Sequence, residues 1–247
     1  MAKDYFGSVT YDKHIWFNPS YLLHCGFEAA KEADKAGAKL SGDTVKAINE
    51  SRATCLWALG TNKLYGNELL VQMVNPHEED TPDTRVLHSQ MRQLKTKEVM
   101  WGHYLDVEVV TYGEHSSEPL DDFLKRTKLA MTKAYQADTI ILCYINRDIV
   151  AGKLWKDIHA DLADVKSKLE TFLIGKVHPT KPEYASAQVH PAYDNMVQFN
   201  VLEEARRKYK NNKGVQIINL PGDEIKIEIP ERGFNPFTHS VTAGGTK

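Results

Sequence analysis

The segment from residue 102 to residue 112 alternates apolar and polar side chains in the way that is typical of a β-strand. Its β-branched residues also favour a strand. Asp106 and Glu108 lie two residues apart and therefore share one face of that strand. Two neighbouring carboxylates repel each other, and when they are partly buried a cation or a shared proton must offset the repulsion. A hard divalent cation such as Mg²⁺ or Mn²⁺ prefers oxygen ligands and meets that need.

The same acid pair has a second interpretation, in which the segment is an edge strand with a solvated acidic face. Acidic side chains are rarely buried, so for this strand taken by itself the solvated face is the more common arrangement. The two interpretations make opposite predictions about the burial of Asp106 and Glu108.

The composition limits the class of protein. The chain has 247 residues, of which 42% are hydrophobic and 26% charged, as in a soluble globular protein. A net charge of −2 excludes a globally basic protein that coats nucleic acid, although a local basic groove stays open. Three cysteines at no metal-binding spacing predict reduced thiols and a cytoplasmic protein. No apolar run is long enough to span a membrane, so no membrane association is predicted.

Hydrophobic periodicity predicts a chain of alternating helices and strands. The predicted helices span residues 19–35, 43–60, 118–135 and 151–174, with Gly60 ending the second and Ser117 capping the third. The predicted strands span residues 68–74, 84–88, 102–112, 138–145, 194–201, 215–220 and 225–229, with a hairpin over 90–100 and a loop over 175–191. The prediction is an α/β fold, a mixed central β-sheet flanked by helices. It forms one domain over 1–247, with C-terminal strands and a hairpin over 192–230 and a loose tail over 231–247.

The order of elements over about residues 43–145 resembles the core of the PD-(D/E)xK nuclease superfamily. Pro82-Asp83 stands for the PD dipeptide and Asp106-Val107-Glu108 for the (D/E)xK motif, with Glu108 where the family usually carries lysine. The resemblance implies a restriction-endonuclease-like core and Mg²⁺-dependent hydrolysis of nucleic-acid phosphodiester bonds. It also implies that Asp83 and Asp106 hold the metal, and that Glu108 acts as a general base or a further ligand.

The candidate catalytic residues are therefore Asp83, Asp106, Glu108 and Glu50, and the candidate metal ligands are Asp83, Asp106 and Glu108. Glu50 would add a carboxylate from the preceding helix, or would simply be solvated there. The candidate phosphate-binding residues are Lys95, Lys97, Lys125 and Lys128, each of which could instead belong to a solvated surface.

The leading hypothesis is a metal-dependent endonuclease of restriction or defence type that binds DNA rather than RNA. The sequence is compatible with a homodimer. One alternative is a non-catalytic α/β interaction or nucleic-acid-binding module in which Asp106 and Glu108 are solvated. Another is an enzyme that uses the same carboxylates as acid and base on a small polar substrate.

Overall fold

The structure is a computed structural model. It describes residues 11, 14–66, 69–75, 82–94, 97–113, 116–129, 135, 138–146, 153–209 and 214–217. The predicted strand 225–229 and the predicted tail lie outside these residues.

Five helices and nine strands occupy the described residues. The helices are α1 (Pro19–Lys35), α2 (Gly42–Tyr65), α3 (Leu120–Thr127), α4 (Lys153–Asp161) and α5 (Val201–Tyr209). The strands are β1 (Ile15–Phe17), β2 (Leu69–Met73), β3 (Thr84–Leu94), β4 (Lys97–Tyr112), β5 (Thr139–Ile145), β6 (Thr171–Lys176), β7 (Glu183–His190), β8 (Asp194–Asn200) and β9 (Val215–Ile217).

The nine described strands form one mixed sheet in the order β8-β7-β6-β5-β4-β3-β2-β1-β9. The pairs β4–β5 and β5–β6 are parallel, and all other neighbouring pairs are antiparallel. Every residue of β5 is buried, as the continuous apolar run predicts for a strand covered on both faces. The predicted mixed α/β architecture is therefore confirmed.

Helix α2 is enclosed by the sheet, which curves around it. The Asn62 side chain accepts a hydrogen bond from the Leu69 backbone in β2, whereas Gly60 lies against Phe199 in β8. In a flat sheet β2 and β8, which are six strands apart, would be separated by roughly 29 Å. Because one helical turn of α2 reaches both strands, the sheet must bend.

The close approach to β8 also explains why Gly60 does not end α2, as the sequence predicts. A Cβ atom on Gly60 would come within 2.9 Å of the Phe199 ring, so glycine is needed inside the helix. The helix continues to Tyr65 and ends at Gly66, whose φ of 68° is in the left-handed region that glycine adopts easily. At the other end Ser41 caps α2 by accepting from the Thr44 amide.

Three other predictions about elements are wrong. The helix predicted over 151–174 ends at Asp161. The last apolar residues of that range instead lie in β6, a strand of the sheet. The loop over 175–191 contains β7. Helix α3 has Pro119 at its N-cap position without a side-chain hydrogen bond, so Ser117 does not cap it, and α3 ends at Thr127 rather than near residue 135.

Candidate active site

The acidic strand predicted from the sequence lies inside the sheet, between β3 and β5. Asp106 and Glu108 are 7% and 5% exposed. The interpretation of an edge strand with a solvated acidic face is therefore wrong. Burial of two carboxylates on one strand face requires positive partners, and each acid has its own.

Asp83 lies beside Glu108 because of the register between β3 and β4. Thr84 pairs with Val107 in this antiparallel ladder, so the residue before β3 is level with Glu108. The Asp83 Oδ2 atom accepts a hydrogen bond of 2.7 Å from the Val109 backbone amide. This bond fixes the Asp83 carboxylate against the middle of β4.

Lys128 joins these two acids from the C-cap position of α3. Its Nζ atom donates to Glu108 Oε2 at 2.6 Å and lies 3.8 Å from Asp83 Oδ2. Burial disfavours the ammonium, but its hydrogen bond to Glu108 and the charges of Asp83 and Glu108 outweigh this effect and raise the pKa of Lys128. Lys128 is therefore a charged, largely buried cation between two carboxylates.

Glu50 approaches the same point from α2 and is 8% exposed, so the prediction of a solvated helix carboxylate is wrong. Burial and the neighbouring charge of Asp83 raise the pKa of Glu50 to about 8, against the opposing effect of Lys46. At neutral pH its carboxyl keeps a proton and hydrogen-bonds to Asp83. The Lys46 Nζ atom lies 3.4 Å from Glu50 Oε1 and 3.9 Å from Asp83 Oδ1.

A pair of buried threonines holds α2 in place over this site. The hydroxyl groups of Thr54 and Thr84 are 2.7 Å apart, and Thr54 also donates to the Glu50 carbonyl at 3.0 Å. These bonds join the turn of α2 that carries Glu50 to the first residue of β3. We call Glu50, Asp83, Glu108 and Lys128 the acid–lysine cluster.

Asp106 belongs to a separate ion pair. Its partner is the cross-strand neighbour Arg85, whose Nε atom donates to Asp106 Oδ1 at 2.9 Å. The guanidinium also lies over the Tyr104 ring, 5.7 Å from its centroid. The structure thus brings Asp83 next to Glu108 and Glu50, and gives Asp106 a closed partner of its own.

The lysines predicted to bind phosphate also differ from one another in their partners. Lys128 reaches the acids, whereas Lys125 forms an i, i+4 pair with Asp121 at 3.2 Å. Lys95 and the side chain of Lys97 lie outside the described part of the structure. Lys46 and Arg85 are absent from the predicted site, although Lys46 precedes Glu50 by four residues, a spacing that marks ion pairs on a helix.

The donor chemistry of the acid–lysine cluster suits a hard divalent cation, since it offers carboxylate oxygens from α2, β4 and the start of β3. In the described residues no group of three or more acidic, histidine or cysteine side chains stands ready in a metal-binding arrangement. Lys128 and the proton on Glu50 supply the positive partners instead. A divalent cation would compete with both for the same oxygens.

The three cysteines also have shifted pKa values, because they are buried. Burial raises the pKa of Cys25 and of Cys143 to about 12, and it raises that of Cys55 as well. All three cysteines are buried free thiols, as the sequence predicts. Neutral thiols of this kind are poor nucleophiles, which leaves the acid–lysine cluster as the candidate for chemistry.

Comparisons with protein-family models, with curated proteins and with solved structures find no significant match. None of the described helices has the length and apolar composition needed to cross a bilayer.

Proposed function

We propose that the protein is a metal-dependent nuclease that hydrolyses phosphodiester bonds, with DNA as its substrate. The observation that carries the proposal is the pairing of two carboxylates, the buried Glu108 on β4 and the partly buried Asp83 just before β3, with the Lys128 ammonium between them. Support also comes from the order α2-β2-β3-β4-α3-β5, with antiparallel β2–β3–β4 pairing and parallel β4–β5 pairing. A restriction-endonuclease-like core is part of this proposal.

In the proposed site Asp83 and Glu108 hold Mg²⁺, and Glu50 adds a third carboxylate once it loses its proton. When bound, the metal supplies a Lewis acid for a phosphate oxygen and lowers the pKa of a water molecule. Asp106 ranks below these residues as a ligand, because it must first release Arg85.

Two residues of the chain contribute more than metal binding. Lys128, displaced from Glu108, would face the phosphate and stabilise the negative charge that develops in the transition state. Glu50, once ionised, would act as a proton acceptor, because its carboxylate lies beside Asp83 at the proposed metal. The backbone bond from Val109 would keep Asp83 oriented throughout.

The test is cleavage of plasmid, single-stranded DNA and RNA with Mg²⁺, with Mn²⁺ and with EDTA. Wild type should cleave with either metal and not with EDTA, and Asp83→Asn, Glu108→Gln and Lys128→Met should each lose cleavage. Glu28→Gln is the matched control, since Glu28 is a partly exposed, ion-paired carboxylate on α1. Cleavage that persists in EDTA, or that survives Asp83→Asn, would contradict the proposal.

A second candidate is a non-catalytic binding module, and the ion pairing favours it. Within the site the charged carboxylates Asp83 and Glu108 are balanced by Lys46 and Lys128, so the network is complete without a metal. Such a module would bind nucleic acid equally well in Mg²⁺ and in EDTA and would leave every substrate intact.

A further inference from the structure

A cavity lies at the opposite end of α2 from Glu50, between that helix and strands β6 to β8. Its volume is about 170 Å³, below the range of about 300–1,000 Å³ that is usual for small-molecule sites, so only a small ligand would fit. Trp57 and Thr61 line it from the helix. They follow Glu50 by seven and eleven residues, which places them roughly 10 and 16 Å farther along the helix axis.

The walls of the cavity combine flat apolar surfaces with polar groups. Trp57 and Phe172 are buried and meet edge to face, with ring centroids 5.4 Å apart. Glu170, Ser186 and Asn195 add a carboxylate, a hydroxyl and an amide. Among the described residues that line the cavity, Glu170 carries the only charge and none is basic, so an anionic group would not be favoured inside it.

The mouth of the cavity is held in a fixed shape. The Tyr65 hydroxyl at the end of α2 donates to Asn195 Oδ1, and the Asn195 amide donates to Gln188 Oε1 at 3.0 Å. Asn195 has a φ of 57°, in the left-handed region that non-glycine residues seldom adopt. This conformation, together with the two side-chain bonds, links α2, β7 and β8 around the opening.

Glu170 is exposed but its backbone is anchored, because its carbonyl accepts from the Ile141 amide at 2.8 Å. An ionised carboxylate is an acceptor with two oxygens, so it pairs best with two adjacent N–H donors. A flat ligand whose faces suit Trp57 and Phe172 and whose edge carries two such donors has the chemistry of guanine. Adenine offers one amino group beside a ring acceptor, which a carboxylate does not complement.

We propose that this cavity binds a guanine base, with Glu170 accepting from its edge and Trp57 and Phe172 contacting its ring. The base could come from a free nucleoside or from an unpaired position in a strand, and the experiment distinguishes these sources. This inference does not depend on the nuclease proposal, because no residue of the acid–lysine cluster takes part.

The experiment is isothermal titration of the full chain with guanosine, inosine and adenosine, and with a short single-stranded DNA that carries one guanine or one inosine. Binding should be strongest for guanine, and Glu170→Gln should weaken it by at least about tenfold. Thr61→Phe, which fills the cavity from the helix, should abolish it. Glu183→Gln, which changes a partly exposed carboxylate on β7, is the matched control and should bind as wild type does.

Each outcome decides the proposal. Guanosine binding that depends on Glu170 supports it with a free nucleoside as ligand, and binding seen only with the guanine-containing strand supports it with a strand base as ligand. Circular dichroism establishes that each variant is folded, and Glu170→Gln alters an exposed side chain, so this variant tests the site even if Thr61→Phe misfolds. The proposal is overturned if neither ligand binds, if adenosine binds as tightly as guanosine, or if Glu170→Gln leaves binding unchanged.

Discussion

Asp106 and Glu108 lie two residues apart on the same face of β4 and are almost equally buried, yet their surroundings differ. Asp106 meets one cation, Arg85, its direct cross-strand neighbour. Glu108 meets Lys128, which lies close to Asp83 as well, and Asp83 in turn shares a hydrogen bond with Glu50. One acid belongs to a closed pair, and the other belongs to a network that joins two helices and two strands.

This difference suggests that β4 carries one acid with a structural role, Asp106, and one acid with a functional role, Glu108. In a closed ion pair the cation already balances the charge of the acid, so an exchange of partners is not favoured. A network with one protonated carboxyl and one shared ammonium can rearrange when a cation or a phosphate enters. Perturbed carboxyl groups in such networks are frequent at functional sites. The predictions below compare the acid–lysine cluster with the Arg85–Asp106 pair.

The largest expected effect separates Asp83 from Asp106 in catalysis. Asp83→Asn should reduce cleavage by at least about 100-fold, because it removes a proposed metal ligand. Asp106→Asn should retain measurable cleavage, because Asp106 is already neutralised by Arg85. Single-turnover rates with labelled DNA measure both. If Asp106→Asn were inactive and Asp83→Asn active, the assignment of the two acids would be reversed.

The next effect concerns folding. Lys128→Met removes a hydrogen-bonded cation from the buried Glu108 and should lower the free energy of unfolding by about 3 kcal/mol. Arg85→Met should cost less, about 1–2 kcal/mol, because the Arg85 side chain is 29% exposed and solvent compensates part of the loss. Urea denaturation measures both values, and Lys63→Met, at an exposed lysine that donates to the Gln198 carbonyl, is the control. Equal losses of unfolding free energy in Lys128→Met and Arg85→Met would contradict the distinction between the cluster and the Arg85–Asp106 pair.

A third effect is specific to the cluster and depends on pH. Folding raises the pKa of Glu50 from 4.5 to about 8, so the folded protein keeps a proton that the unfolded chain releases between these values. The Glu50 contribution to stability is therefore complete below about pH 4.5 and is lost as pH rises through about 8. Glu50→Gln should flatten this dependence and be more stable than wild type at pH 9, on the order of 2 kcal/mol.

Thermal unfolding at pH 5.5, 7 and 9 measures this effect. Glu28→Gln is the matched control, because it neutralises a more exposed glutamate and should keep the wild-type slope. A wild-type slope in Glu50→Gln would show that Glu50 does not hold the proton.

The smallest effect concerns Lys125, which points to Asp121 rather than to the cluster. Lys125→Ala should change the free energy of unfolding by less than about 0.5 kcal/mol, as for other i, i+4 ion pairs near a helix surface. If Lys125 contacts phosphate as proposed, the variant should also reduce the slope of log affinity against log salt by about 1, measured by fluorescence anisotropy. An unchanged slope would assign Lys125 to the protein surface alone.

The elements that sequence reasoning predicted best are those with one clear local pattern. Helix α1 matches its predicted range, and the buried run of β5 matches within one residue at its start. The apolar residues from 154 to 172 also keep a helical spacing, but the last of them, Phe172, lies in β6. A short apolar run fits a buried strand as well as a helix, and its position in the sheet decides between them.

The part of the site that could not be predicted from the sequence depends on strand pairing and on contacts between elements that are distant in the chain. Asp83 lies beside Glu108 because of the β3–β4 register, which the spacing of the acids does not reveal. The burial of Glu50 follows from the enclosure of α2 by a curved sheet, which no local pattern shows. Lys128 was predicted as a phosphate contact, but its position between two acids depends on where α3 ends.

The most direct test of the account is a titration of thermal stability with Mn²⁺ for wild type, Asp83→Asn and Asp106→Asn. A cation held by the acid–lysine cluster should stabilise wild type, by about 2.7 kcal/mol at a concentration 100 times its dissociation constant. Asp106→Asn should respond like wild type, and Asp83→Asn should not respond. No stabilisation of wild type, or equal stabilisation of Asp83→Asn, would contradict the account.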